Sequence, residues 1–152
     1  MMKLCFSQNV MINILTRNNG VVAVNQKNFL EVSISNTSAI HTISPYKIKP
    51  QISFPTHLVT VSDTGHLLPI GWTIISNKNG VFILSNGSDA IAEFGNRTIL
   101  IAFKGKNEGA QSAIVGTLYF SNGEAPGLKV GAATKEDNLF DNSSSSSIKV
   151  TQ

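Results

Sequence analysis

Three histidines, one cysteine and a short acidic turn are the residues of this chain whose types could support chemistry. His41, His57 and His66 stand apart, with no H-x-H or H-E-x-x-H spacing. They do not supply the several matched ligands that a zinc site requires. Each reads as a half-buried or turn histidine. Cys5 has no second cysteine with which to form a disulfide or a multi-cysteine metal site, and its neighbours assign it no base. The glycine-containing stretches lack the G-x-x-x-x-G-K-[ST] and G-x-G-x-x-G spacings that cradle phosphates, and no G-x-S-x-G elbow occurs. The expectation is therefore no catalytic residue, no metal and no cofactor.

One stretch points the other way. Val61-Ser62-Asp63-Thr64-Gly65 resembles the Asp-Thr-Gly signature of aspartic proteases, including the small retroviral type that works as a homodimer. The resemblance implies that Asp63 would activate water across a two-fold axis while sharing a proton with its mate. Ser62 stands where that family has an apolar residue, and His66 where a small one follows. The same triplet is an ordinary turn, which is the preferred reading; the dimeric protease is kept as a remote alternative. Among the aromatics, Trp72 beside Ile74 and Ile75 reads as core. Tyr46, inside a proline-rich stretch, is the best exposed candidate for stacking on a sugar or a partner.

Charge adds little. Twelve Lys and Arg against nine Asp and Glu leave a net charge of +3 and a pI near 9.1. The only arginines are Arg17 and Arg97, and the only close basic pairs are Lys47 with Lys49 and Lys104 with Lys106. Phosphate-backbone binding wants a clustered patch and base readout favours Arg, so specific nucleic-acid binding is not expected. Sequons at Asn36, Asn86, Asn96 and Asn142 reflect an Asn- and Ser-rich composition rather than glycosylation. The first residues are interrupted by Ser7, Gln8, Asn9 and Asn13 and do not read as a signal peptide. No stretch reaches the ~20 apolar residues of a membrane helix. Synthesis in the cytosol is expected, with final location open, or the virion under the structural reading given below.

The elements that must position these residues are strands. Hydrophobic residues make up 41% of the chain and charged residues only 14%, against about 25% in ordinary domains, which argues against exposed Glu- and Lys-rich helices. Val10–Thr16 is a first strand, with 21–25 as its hairpin partner. In 29–35, Leu30, Val32 and Ile34 alternate with Glu31, Ser33 and Ser35, the pattern of a strand with one wet face. Residues 39–44 form another short run. Pro45, Pro50 and Pro55 exclude a central strand from 45–55, because each proline lacks the ladder N–H; this reads as a surface crossover or an edge. A strand is expected at 57–62. From 72 to 103 the turn residues at Asn79-Gly80, Asn86-Gly87 and Gly95-Asn96 predict a continuous antiparallel meander of three or four strands. A last long strand is expected at 112–120, then a loop.

The fold class is accordingly all-β: an antiparallel β-sandwich of jelly-roll or immunoglobulin-like type with about ten short strands, or alternatively a closed barrel. Residues 1–133 form the sandwich domain and 134–152 a Ser-rich flexible C-terminal arm. Because 99–103 and 114–120 are apolar on nearly every position, both their faces call for cover. The run 148–151 could be offered to a neighbour by strand addition. The function expected on these grounds is a non-enzymatic structural or assembly protein, such as a capsid, decoration or fibre subunit. Its partners would be itself, as a homo-oligomer, or other shell proteins. The alternative is a carbohydrate-binding or adhesive β-sandwich module with a glycan as partner.

Overall fold

The computed structural model describes residues 10–122 and 142–152 of the chain. Cys5, the loop expected after Ser121 and the domain boundary expected at 133/134 lie wholly or largely outside the described residues. Ten strands form two sheets packed face to face, a β-sandwich. They are β1 (Val10–Thr16), β2 (Val21–Ala23), β3 (Lys27–Asn36), β4 (Ile48–Ser53), β5 (Val59–Val61), β6 (Thr73–Lys78), β7 (Val81–Ser85), β8 (Asn96–Gly105), β9 (Gly109–Phe120) and β10 (Ser143–Thr151). The smaller sheet has the order β1-β3-β8-β5 and the larger β2-β10-β9-β4-β7-β6. All pairings between these strands are antiparallel except β2 with β10.

The core follows from period-two patterning. Leu30, Val32 and Ile34 of β3 and Ile99, Ile101 and Phe103 of β8 are buried from one sheet. They meet Ile48 and Ile52 of β4, Phe82 and Leu84 of β7, Ile114 and Leu118 of β9, and Ile148 and Val150 of β10 from the other. Full burial of each such side chain stabilises the fold by about 1.5–3 kcal/mol. The Asn79-Gly80 turn joins β6 to β7 with both residues at positive φ, 54° and 77°. That is the handedness a tight hairpin between twisted strands demands.

Several expectations are corrected. The first hairpin does not form: β2 leaves β1 after a 3-10 turn at Asn18–Gly20 and pairs with β10 in the other sheet. Gly20 is required there, since a Cβ would collide with the Ser147 carbonyl oxygen. Residues 39–44 make only an isolated bridge, Ile43 with Ile91. The proline-rich stretch is no surface crossover. Its Ile48–Ser53 portion is β4, an interior strand between β9 and β7. Pro50 is accommodated because the ladder to β7 spans only Gln51, Ile52 and Ser53, so that flank asks nothing of a proline nitrogen. Nor is 72–103 one meander. The chain makes the β6–β7 hairpin and then changes sheets, so that β8 pairs with β3 and β5.

The switch after β7 is organised by two buried asparagines. Asn86 accepts from the backbone N–H groups of Lys47 and Ile48 at 3.0 and 3.1 Å and donates to the carbonyls of Ser44 and Asp89 at 2.9 and 2.7 Å. Asn36 donates to the carbonyls of His41, Ile91 and Ala92. Each satisfies backbone groups that irregular loops would otherwise bury without partners.

The expected C-terminal arm is corrected over its described residues. Residues 143–151 are β10, an interior strand paired antiparallel with β9 and parallel with β2. Its serines alternate: Ser143, Ser145 and Ser147 face solvent, while Ser144 and Ser146 turn toward β1. The same alternation explains β9, whose Ile114, Leu118 and Phe120 are buried while Val115 is exposed. One face of these strands is wet after all.

Candidate functional site

A sandwich has two open sides where the sheet edges face one another, and here the two sides differ. On one, the edge of β1 is closed by β10. The backbone N–H of Ile14 donates to Ser144 Oγ at 3.1 Å, and that of Thr16 to Ser146 Oγ at 3.0 Å. The Thr16 and Ser146 hydroxyls lie 2.8 Å apart. On the other side, β5 and β6 form a mouth.

After β5 the chain runs on beside β8, and His66 stands in for a strand. Its Nδ1 accepts from the Ala102 N–H at 2.9 Å, so the proton sits on Nε2, which donates to the Ser62 carbonyl at 2.7 Å. Leu67 then bridges to Leu100. Facing this segment, β6 is hydrogen-bonded through its backbone, among the described residues, to β7 alone. A bulge between Ile74 and Ser76 interrupts that ladder and places Ile75 out of register. Ile74 is 39% exposed, Ile75 48%, and the neighbouring Ile70 97%.

A cleft of about 350 Å³ opens between β5 and β6, lined by Val59, Val61, Asp63, Asn77, Asn79 and Lys106 among others. A second cleft on the far side of β5 shares Val61, Asp63 and Lys106 and adds Lys104. Asn77 ties the mouth together at long range, its amide donating to the Ser62 carbonyl at 3.3 Å and to Asp63 Oδ1 at 3.4 Å. At the end of the mouth Asp89 binds the start of β8 to the approach to β6. It accepts from Trp72 Nε1 at 2.7 Å and from Arg97 Nε and Nη2 at 2.8 and 3.1 Å. Burial pushes the Asp89 carboxyl up, but hydrogen bonds from Arg97 and Trp72 and the Arg97 charge together hold it below its ordinary value.

The residues singled out from the sequence are thus scattered. Asp63 follows β5 in a bend, with Gly65 at φ 86°, and its carboxylate accepts from an amide. His66 is a structural hydrogen-bonding residue, His57 is exposed in the turn before β5, and His41 lies in the loop beside Asn36. Trp72 is buried as expected, with the addition of its bond to Asp89. Tyr46 is 65% exposed in the turn before β4, its backbone N–H donating to the Gly87 carbonyl at 2.7 Å. Of the sequons, Asn36, Asn86 and Asn142 are buried and Asn96 is exposed. Both arginines are held in ion pairs, Arg17 with Glu31 and Arg97 with Asp89. Among the described residues no cluster of three or more His, Cys, Asp or Glu is placed to hold a metal, and no helix is long and apolar enough to cross a membrane.

Two features escaped the sequence. The β6 edge reads as one more strand until its neighbours are known. Tyr119, opposite Lys49 in the β4–β9 ladder, joins Gln51 and Ile83 around a shallow apolar depression of about 180 Å³ on the outer face of the larger sheet.

No family model and no curated protein matches the sequence. Solved structures match the fold. A cohesin module from the family 33 glycoside hydrolase of Clostridium perfringens superposes with a TM-score of 0.59 at 13% identity, covering 94% of this chain and 98% of that one. The CARDB domain of a Pyrococcus furiosus protein, solved in complex with di-metal ions, gives 0.58 at 14% identity, with 95% and 90% covered. A Nocardia farcinica protein described as having an immunoglobulin-like fold gives 0.52 at 9% identity, with 90% and 98% covered. The architecture is that of cohesin, CARDB and immunoglobulin-like sandwiches.

Proposed function

We propose that this chain is a non-catalytic, protein-binding or adhesive β-sandwich module that engages its partner at the mouth between β5 and β6. The observation that carries this is the β6 edge: a six-residue strand that, among the described residues, has no strand paired on its outer side and lies beside exposed Ile70, Ile74 and Ile75. Edge strands normally carry charge, proline or cover, and β6 has its bulge and Lys78. An extended segment adding there would gain main-chain hydrogen bonds, with side chains seated in the adjoining cleft. The likeness to cohesin and CARDB modules is compatible with a binding role. The capsid or fibre reading loses its main support, because the segment meant to exchange between subunits is built into its own sheet.

The test is affinity capture with the wild-type chain and an I74K/I75K variant side by side. The variant should keep its melting temperature within a few degrees, since both side chains are solvent-exposed edge residues. It should lose the partner that the wild type retains. A partner held equally by both would move the binding surface elsewhere. The depression at Tyr119, Lys49 and Gln51 offers a second reading, a sugar stacked on the phenol ring. Glycan binding that Y119A abolishes and I74K/I75K leaves intact would favour it.

A further inference from the structure

We infer that the segment accepted at β6 carries carboxylates, and that Lys104, Lys106 and Asp63 set this preference; the inference rests on the binding role proposed for the mouth. Lys106 lies on the rim of both clefts flanking β5, and Lys104 on one. Both are exposed. Among the described residues the ion pairs are Arg17–Glu31 and Arg97–Asp89, so neither lysine is neutralised by a carboxylate. The Lys106 ammonium makes one long bond, to the Thr56 carbonyl at 3.4 Å. Lys78, at the end of β6 beside the Asn79-Gly80 turn, adds a third positive charge at the same end. The opposing charge is Asp63, whose Oδ1 accepts from Asn77.

A strand lying along β6 from Ile74 toward Asn79 would therefore place apolar side chains at Ile74 and the partly buried Val61. Its far end would meet the lysines. Lys106 at the cleft, Lys78 at the strand end and Lys104 across β5 outweigh Asp63, the one carboxylate among the lining residues, and complementary charge selects partners and speeds encounter more than it adds raw affinity. An acidic, extended, apolar-alternating peptide is the occupant this arrangement suits.

Three synthetic ten-residue peptides test this, alternating valine with glutamate, with glutamine or with lysine. Backbone amide exchange of Thr73–Lys78 reports the docking site, and titration reports affinity. The glutamate peptide should protect the β6 amides and bind about tenfold more tightly than the lysine peptide at low salt, the gap closing as salt is raised. K106Q should weaken the glutamate peptide about threefold, K104Q by less, and D63N should strengthen it about twofold. Protection of β6 by all three peptides with equal affinity would overturn the charge preference and leave the edge-binding role standing. Charge-dependent binding without protection of β6 would overturn the role itself, as would the absence of protection with every peptide.

Discussion

The two open sides of this sandwich are closed by different chemistry. At the β1–β10 side, serine hydroxyls from one sheet satisfy the backbone N–H groups of an edge strand in the other. At the β5–β6 side, two edge strands face a cleft, spanned by one long-range asparagine and held at its end by the Asp89 clamp. Short neutral hydroxyls reach backbone groups at about 3 Å only where strands already lie close. A mouth leaves room for something else. The closed side is structural and the open side is the one proposed for binding, although strands with polar, weakly charged sequences build both.

Deleting 143–152 should break the comparison outright. It removes β10 from between β9 and β2, exposes the partners of buried Ile148 and Val150, and unpins β1. Those two side chains alone account for about 3–6 kcal/mol, a large share of the about 5–15 kcal/mol that holds a domain together. The expected outcome is loss of the cooperative thermal transition by circular dichroism. A truncated chain melting like the full one would restore the dispensable arm.

Replacing Ser144 and Ser146 together by Ala should have a smaller effect. Two N–H groups of β1 lose their acceptors, at about 1–3 kcal/mol for each one left buried and unsatisfied and less where water reaches it. Urea unfolding should show the loss, and amide exchange at Ile14 and Thr16 should quicken while that of β6 stays unchanged.

The smallest effect belongs to acid, and it separates the two sides. Asp89 has a folded-state value below its ordinary 3.8, so its protonation is harder in the folded chain than in the unfolded one. The stability it contributes is present in full above 3.8 and is lost as pH falls through that value toward the lowered one. Amide protection near Trp72 and Arg97 should fall in that window, while the neutral hydroxyl closure of β1 should not titrate with Asp89. An Asp89→Asn chain should lack that component of the acid transition.

How much of this was legible beforehand depends on the range of the interaction. The alternation in 29–35 is visible because Leu30, Val32 and Ile34 obey a local period and their burial needs no knowledge of the partner sheet. The β6–β7 hairpin is visible because Asn79-Gly80 sets its own backbone geometry. The serine run hides its strand, because a Ser-rich composition suggests a flexible linker. A strand whose inward serines meet backbone N–H groups of another strand carries no hydrophobic period, and only β1, some 130 positions away, reveals what Ser144 and Ser146 do. Pro50 misled for a similar reason: the rule concerns the ladder side that a proline faces, and that side depends on where β7 stops.

By itself, then, the sequence determined an all-β chain of about ten strands, the inward face of β3 at Leu30, Val32 and Ile34, the burial of Trp72 and the Asn79-Gly80 hairpin turn, because these rest on side-chain period and on backbone preference within a few residues. The tertiary structure alone decided that β2 and β8 change sheets, that the serine strand is interior, and that the open side lies between β5 and β6. Those outcomes turn on which edges meet. Edge pairing is governed by backbone hydrogen bonds common to every residue, so it leaves almost no trace in residue type.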